Sequence, residues 1–452
     1  MTASHIKSWI RSISVASVFF WLLLSLHISA QPPKPGDRVR AKQILEWMKA
    51  GEYGKVIDQL DSSAAAKLDT AKLSSVWNNM LRNAGPFREV QSTTDEQQPG
   101  YTMVIQRCLF GEKSIDFKLV FGGNGKVKGL FFLPADSKER YKLPAYYDST
   151  KVSERSVIIE NGPYRLPGTL TYPSKGKFFA AVVLVHGSGP NDRDESVGGT
   201  KIFKDLALGL ATKGVAVLRY EKRTRIYRDK FTSRSDYTVE EETIQDAVAA
   251  AEWLQRDSLI NPDRVYVLGH SLGAHLLPRI ASGMRKKSAG YIALCPNARR
   301  LEELFVDQAK YIVALDGKQE KYQQLLDSLE REAGIIKGLH ADSKDTLAHL
   351  SLPASYWIDL NRYDAFTAFR EMKGPLYIMQ GGRDYQVTTD DYKLWEEKLN
   401  GRKPTAMKLY PQLNHFFITG EGKSKPAEYN KSANFSETVL NDIYNWISKD
   451  VY

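Results

Sequence analysis

The chain has 452 residues, 42% of them apolar and 26% charged, with a formal net charge of +10. That length is too great for one ordinary domain and suggests two or three. The charges are mixed in sign and form no stripe of arginines and aromatics, which argues against a nucleic-acid partner, and two cysteines exclude a disulfide framework.

Residues 1–30 read as a signal peptide. Lys7 and Arg11 supply a positive start, Ile13 to Ile28 an apolar run, and Ser29-Ala30 a small-residue cleavage site before Gln31. The mature chain is expected in a periplasm or secreted. An uncleaved membrane anchor is the rival reading, weakened by Ser14, Ser17, Ser25 and His27 within the run. Elsewhere no stretch is long and apolar enough to span a bilayer, so no stable insertion of the mature chain is expected.

Residues 31–135 predict a small α+β domain. From Asp37 to Leu81 apolar residues recur at helical spacing, with Gly51 and Gly54 as breaks. The period then falls to two: Glu89 to Ser92, Tyr101 to Phe110, Ser114 to Phe121 and Val127 to Leu133 predict an antiparallel sheet. No cluster of catalytic or ligating types occurs there, and Trp77, Phe131 and Phe132 read as core. The part resembles the small domain of unknown function found in front of secreted bacterial hydrolases. A homodimer contact or substrate presentation is its expected role.

After a linker, residues 136–150, eight strands are predicted: Ser156 to Glu160, Tyr164 to Tyr172, Ala181 to Val185, Val215 to Tyr220, Val265 to Leu268, Tyr291 to Leu294, Leu376 to Gln380 and Met407 to Tyr410. Amphipathic segments near 202–212, 239–255, 272–284, 388–399 and 436–448 alternate with the later ones. Continuous apolar strands flanked by helices imply a mostly parallel sheet covered on both faces, with reactive groups at its C-terminal edge.

At that edge, Val265 to Leu268 runs into Gly269-His270-Ser271-Leu272-Gly273 and then a helical segment. This is the pattern of a nucleophile elbow, in which a serine takes a strained conformation and small residues on either side let strand and helix pass closely. Ala181 to Val185 ends in His186-Gly187-Ser188-Gly189, where small residues let backbone N–H groups face a cavity. Gly381-Gly382-Arg383-Asp384 follows a late strand, and Asn414-His415 follows the last. Singly, the aspartate reads as turn chemistry and the histidine as a surface or core residue. In the order serine, acid, histidine, each at a strand end, they predict a hydrolytic triad.

On these motifs residues 151–452 resemble the α/β-hydrolase family, and within it exported bacterial esterases related to acyl esterases, feruloyl esterases and dienelactone hydrolases. The resemblance implies Ser271 as nucleophile, His415 as general base then acid, and Asp384 as the group that orients the imidazole. It implies an oxyanion hole from the backbone N–H groups of Leu272 and Ser188. The expected substrate is a small-molecule or carbohydrate-linked ester. A peptidase of the prolyl-oligopeptidase type, a thioesterase or acyltransferase, and a non-catalytic envelope binding protein are the alternatives. No metal or cofactor motif is present, and a serine triad needs none.

Other residues near the motifs take structural readings. His270 and His275 read as supporting or packing residues, His186 as bonding a strand end, and Cys295 as core. Asp192, Arg193, Asp194 and Glu195 either order their loop or meet substrate. Arg219 to Arg223 follows another strand end, and Thr224 stands where relatives often have glycine. Residues 298–372 predict a helical cap, with helices over 301–314, 319–333 and 344–350. Its Tyr356, Trp357, Tyr363, Phe366 and Phe369 are expected over the site.

Overall fold

The computed structural model describes residues 36–98, 101–135, 141–232, 234–317 and 319–449, so the expected signal peptide lies outside the described residues. Those described form two compact units, one ending at residue 135 and the other beginning at residue 141.

In the N-terminal unit two longer helices, α1 (Gly36–Ala50) and α2 (Thr70–Ala84), flank the short helices Tyr53–Ile57 and Ser62–Ala65. Asp69 caps α2 by accepting from the Lys72 N–H, and Gly85 ends it at φ +95°. Four antiparallel strands follow in sequential order: β1 (Phe87–Gln98), β2 (Tyr101–Phe110), β3 (Lys113–Gly122) and β4 (Val127–Pro134). Val104, Gln106, Cys108 and Phe110 alternate into the interior, where Ile44, Leu45, Met48 and Trp77 meet Phe117 and Phe121. Trp77 is core, as the sequence predicts, whereas Phe131 is half-exposed. Burial pushes the Cys108 thiol up to about 12, which leaves it inert.

The C-terminal unit is built on one eight-stranded sheet. Its strands are β5 (Val152–Asn161), β6 (Tyr164–Pro173), β7 (Phe179–Val185), β8 (Ala216–Tyr220), β9 (Ile260–His270), β10 (Gly290–Leu294), β11 (Leu376–Gly381) and β12 (Thr405–Tyr410). All eight predicted strands are present. Their spatial order is β12-β11-β10-β9-β7-β8-β6-β5. Strands β5 and β6 form an antiparallel hairpin, β6 pairs antiparallel with β8, and the rest are parallel. Of the expected linker, residues 141–150 pack on this unit: the Tyr141 hydroxyl donates to Asp205 at 2.7 Å and the Tyr146 hydroxyl to the Phe435 carbonyl at 2.9 Å.

The continuous apolar strands follow from double-sided burial. In β7, Val183 and Val185 face one core with Ala250, Leu254 and Leu277, whereas Val182 and Leu184 face another with Phe203, Leu206, Leu440 and Ile443. Helices α3 (Ile202–Thr212), α4 (Gln245–Gln255) and α11 (Glu437–Ser448) supply those layers. Two expected helices are irregular. The segment before α4 opens with a π turn, Glu240–Ile244, and the one after Ser271 divides at Leu276 into α5 (Leu272–His275) and α6 (Leu277–Gly283), with Pro278 in the first turn of the latter.

The insertion is helical in α7 (Leu301–Asp316), α8 (Gln319–Gly338), α9 (Ala354–Asn361) and α10 (Ala365–Glu371). Residues 344–350 are not a helix, contrary to expectation. Ala348–His349 pairs with Leu352–Pro353 across Leu350 and Ser351, both at positive φ, and the His349 ring is clasped between Glu332 and Asp345. These tertiary contacts override a helical pattern. Among the insertion's aromatics, Tyr356, Trp357 and Phe369 are fully buried core residues rather than a surface over the site, whereas the partly buried Phe366 meets Trp395 edge-on and Tyr363 meets His275 edge-on. Their area is spent on packing.

Close approach at the end of β9 depends on two glycines. A Cβ on Gly269 would lie 2.4 Å from the Gly273 carbonyl oxygen, and one on Gly273 would lie 2.4 Å from that of His186. Both obstacles are backbone and cannot rotate away. Gly269→Ala and Gly273→Ala are therefore expected to lower the unfolding midpoint of this unit by several degrees, about 1–3 kcal/mol of overpacking, measured by differential scanning calorimetry.

Candidate active site

Ser271 ends β9 and opens α5 at φ +54° and ψ −121°, a conformation that a non-glycine residue keeps only when its surroundings enforce it. Its N–H donates to the Leu294 carbonyl at the end of β10 at 2.8 Å, which pins the turn to the neighbouring strand. The strained serine predicted from the glycine spacing is thus present.

Asp384 follows β11, and His415 follows β12. His415 Nδ1 lies 2.6 Å from Asp384 Oδ2, and both residues are buried. The other carboxylate oxygen accepts from the Gln386 and Val387 N–H groups at 2.7 and 3.0 Å, so the acid is oriented before it meets the imidazole. Asn414 fixes the histidine loop, its side-chain oxygen accepting from the Phe416 and Ile418 N–H groups. With Nδ1 committed to Asp384, Nε2 is the nitrogen left for proton transfer. The Ser271 hydroxyl makes no hydrogen bond to a described residue. His270, its neighbour in the chain, brings its ring to 4.6 Å from that of His415, centroid to centroid.

The loop after β7 lies against the serine: a Cβ on Gly187 would stand 3.2 Å from that of Ser271. Gly187 donates its N–H to Glu195 at 2.7 Å and Gly189 to Glu242 at 2.9 Å. Among the described residues the Ser188 N–H has no acceptor, and the Leu272 N–H, first in its helix, has none either. Both predicted oxyanion donors thus have an N–H without a described acceptor, as do Gly273 and Ala274 in the same first helical turn.

Several sequence readings change. His186 does not bond the strand end: it packs against Phe203 and Tyr220, and its ring nitrogens lack a hydrogen bond of ordinary geometry among the described residues. Residues 192–195 order their own loop. Asp192 accepts from the Asp194 and Ser196 N–H groups, Arg193 pairs with Glu221, Asp194 with Arg219 and Lys201, and Glu195 with Gly187. His275 packs as read, bonded through Nδ1 to the Asn297 carbonyl at 2.8 Å.

Cys295 is buried as read, yet its sulfur lies within 4.8 Å of ligand atoms of Asp384 and His415. Burial holds the thiol well above its ordinary pKa, so it stays protonated. The 2.6 Å contact between acid and imidazole is a hydrogen bond with no room for an ion between them.

Residues 182–431 match a family described as "Alpha/beta hydrolase family". The chain belongs to the α/β-hydrolase family. Residues 41–130 of this hydrolase match a second family, described as a protein of unknown function (DUF3887). The hydrolase is 37% identical to Esterase EstD of Thermotoga maritima over 405 residues, 90% of this chain and 94% of that one. Among solved structures it is similar to Est1E from Butyrivibrio proteoclasticus, 15% identical with a TM-score of 0.42, covering 65% of this chain and 99% of that one. It is similar also to a Mycobacterium tuberculosis puromycin-hydrolyzing peptidase, 14% identical with a TM-score of 0.43, covering 80% of this chain and 48% of that one.

Sequence reasoning placed Lys222 in the stretch from Arg219 to Arg223 without giving it a role, and missed Glu242. Both are almost fully buried, and Lys222 Nζ donates to Glu242 at 2.9 Å and to the Gly187 carbonyl at 2.8 Å. Glu242 sits in an acidic run that reads as the solvated start of a helix, so no sequence signal distinguished it from Glu240 and Glu241. Tyr356, from the insertion, donates its hydroxyl to the same carboxylate.

Burial lowers the pKa of His186 and of His275 from 6.5 to about 4. Between those values the unfolded chain binds protons that the folded rings refuse, so each histidine removes stability as pH falls from about 6.5 to 4. Asp205, pushed up by burial to about 6, acts in the opposite sense, so variants must be compared. His275→Gln is expected to lose less stability than wild type between pH 7 and pH 5, by about 2 kcal/mol, in denaturant titrations at the two pH values.

Proposed function

We propose that the protein is a serine esterase that cleaves small-molecule or carbohydrate-linked carboxylic esters through an acyl-enzyme on Ser271. The observation that carries this reading is the buried His415–Asp384 hydrogen bond at the same sheet edge as a serine in a strained strand-to-helix turn. Similarity to an esterase along nearly the whole chain supports the ester as substrate.

In this mechanism His415 Nε2 takes the Ser271 hydroxyl proton as the oxygen attacks the ester carbonyl. Asp384, held by two backbone N–H groups, keeps the Nδ1–H tautomer and stabilises the imidazolium. Negative charge developing on the carbonyl oxygen is received by the Ser188 and Leu272 N–H groups, each such donor contributing about 3 kcal/mol to the transition state. The positive end of the helix that begins at Leu272 adds to this. His415 then protonates the leaving alcohol. Water, activated by the same histidine, releases the acid and restores the serine. No cofactor enters any step.

Ser271→Ala should abolish both labelling by a fluorophosphonate probe and hydrolysis of short p-nitrophenyl esters. Asp384→Asn should lower kcat by about 10³–10⁴-fold while leaving the circular dichroism spectrum intact. A fully active Ser271→Ala enzyme would remove the acyl-enzyme.

The proposal extends to location. The charged, apolar and small-residue sequence of residues 1–30 supports export with cleavage before Gln31. Intact-mass analysis of the protein from a periplasmic or culture fraction is expected to give a chain beginning at Gln31; a chain retaining residues 1–30 would indicate an anchor.

A further inference from the structure

Three consecutive N–H groups, those of Gly187, Ser188 and Gly189, lie in the loop beside Ser271. The outer two are bonded to buried carboxylates, Gly187 to Glu195 and Gly189 to Glu242, and the middle one is free among the described residues. We infer that Glu195 and Glu242 are a pair of positioning residues that select the Ser188 N–H as the oxyanion donor and hold its direction. The inference rests on the serine-esterase reading above.

Carboxylates so close to a developing oxyanion would oppose catalysis if left bare, because like charges repel strongly where water is excluded. Each has a basic side chain beside it. Lys222 Nζ is 2.9 Å from Glu242 Oε1, and His270 Nδ1 is 3.2 Å from Glu195 Oε1. Burial opposes charge on both members of the second pair, yet each holds the other ionised: Glu195 is kept below the usual carboxylate range and His270 above the usual imidazole range. Both neutralising groups also grip the site. Lys222 donates to the Gly187 carbonyl at 2.8 Å, and His270 Nε2 contacts the His415 carbonyl at 3.0 Å.

The local backbone bears out a cost accepted for this geometry. Glu195 stands at φ +47°, and Glu242 lies in the π turn before α4, a kind of turn that recurs at functional sites. A solvated or merely space-filling glutamate explains neither feature. With both neighbours tied down, rotation of the Ser188 peptide away from the carbonyl oxygen is blocked, and the donor is pre-aligned before substrate arrives.

The test uses the full mature chain and the isosteric variants Glu195→Gln and Glu242→Gln, with unfolding midpoints measured alongside. Glutamine keeps an acceptor oxygen but gives up the charge-assisted bond and the neutralised pair. Each folded variant should lose at least tenfold in kcat on p-nitrophenyl acetate, with KM within about threefold of wild type, short of the roughly 10²–10³-fold that deleting a donor outright costs. Affinity for an aryl trifluoromethyl ketone, which forms a hemiketal on the serine and places an oxyanion in the hole, should fall by the same factor as kcat. If a glutamine variant does not fold, the aspartate variant at that position decides, since it keeps the charge but withdraws the oxygen from its glycine. Wild-type kcat and ketone affinity in a folded variant would overturn the inference, as would a loss confined to KM. A wild-type enzyme unlabelled by fluorophosphonate would overturn the esterase reading and this inference with it; a labelled wild type with unaffected variants would overturn the inference alone.

Discussion

A strand and a helix meet at Ser271 with no room for a side chain on either flank, and the rest of the C-terminal unit is arranged to keep them there. Gly269 touches the backbone of Gly273, and Gly273 touches that of His186 at the end of the adjacent strand. A left-handed serine costs on the order of 1–3 kcal/mol, which persists only inside a rigid frame. That frame is the parallel sheet, whose central strands are buried on both faces by helices on either side. At those strand ends the loop after β7 meets the Ser271 Cβ, and the His415 ring, after β12, meets both His270 and Asp384.

Around that edge, buried charge orders the loops. Arg219, in β8, pairs with Asp194 and Glu154, and just past that strand Arg223 pairs with Asp246 and Lys222 with Glu242. Such pairs add little net stability, because desolvation offsets the attraction, but breaking one leaves a stranded charge and is strongly destabilising. Their consequence here is geometric: each alternative loop conformation would bury an unpaired ion. Thr224 is itself buried, in the helical turn Arg223–Ile226.

The insertion takes part in the same frame. Tyr356 reaches Glu242, Tyr363 donates to the His275 carbonyl, and Arg279 on α6 pairs with Asp359 on α9. Its aromatic side chains therefore join the insertion to the elbow helices and to the carboxylate bonded to the loop after β7.

How much was legible in the sequence follows from the range of the interactions concerned. Strand positions, the elbow and the order of serine, acid and histidine were readable because each is written in a few neighbouring residues: β-branched runs in β7 and β9, glycines on either side of Ser271, short loops ending in Asp384 and His415. The alternation of β2 in the N-terminal unit was readable for the same reason. What tertiary structure alone decided depends on groups far apart in the chain. Glu242 reaches Gly189 across 53 positions, and Tyr356 reaches Glu242 across 114, so neither contact leaves a local pattern. His349, held by Glu332 and Asp345, turned an expected helix into a hairpin in the same way. Periodicity reports which face of an element is apolar; it does not report whether a buried glutamate, or an aromatic on that face, meets a core, a loop or a substrate. That choice is made when the sheet closes and each buried polar group must find its partner.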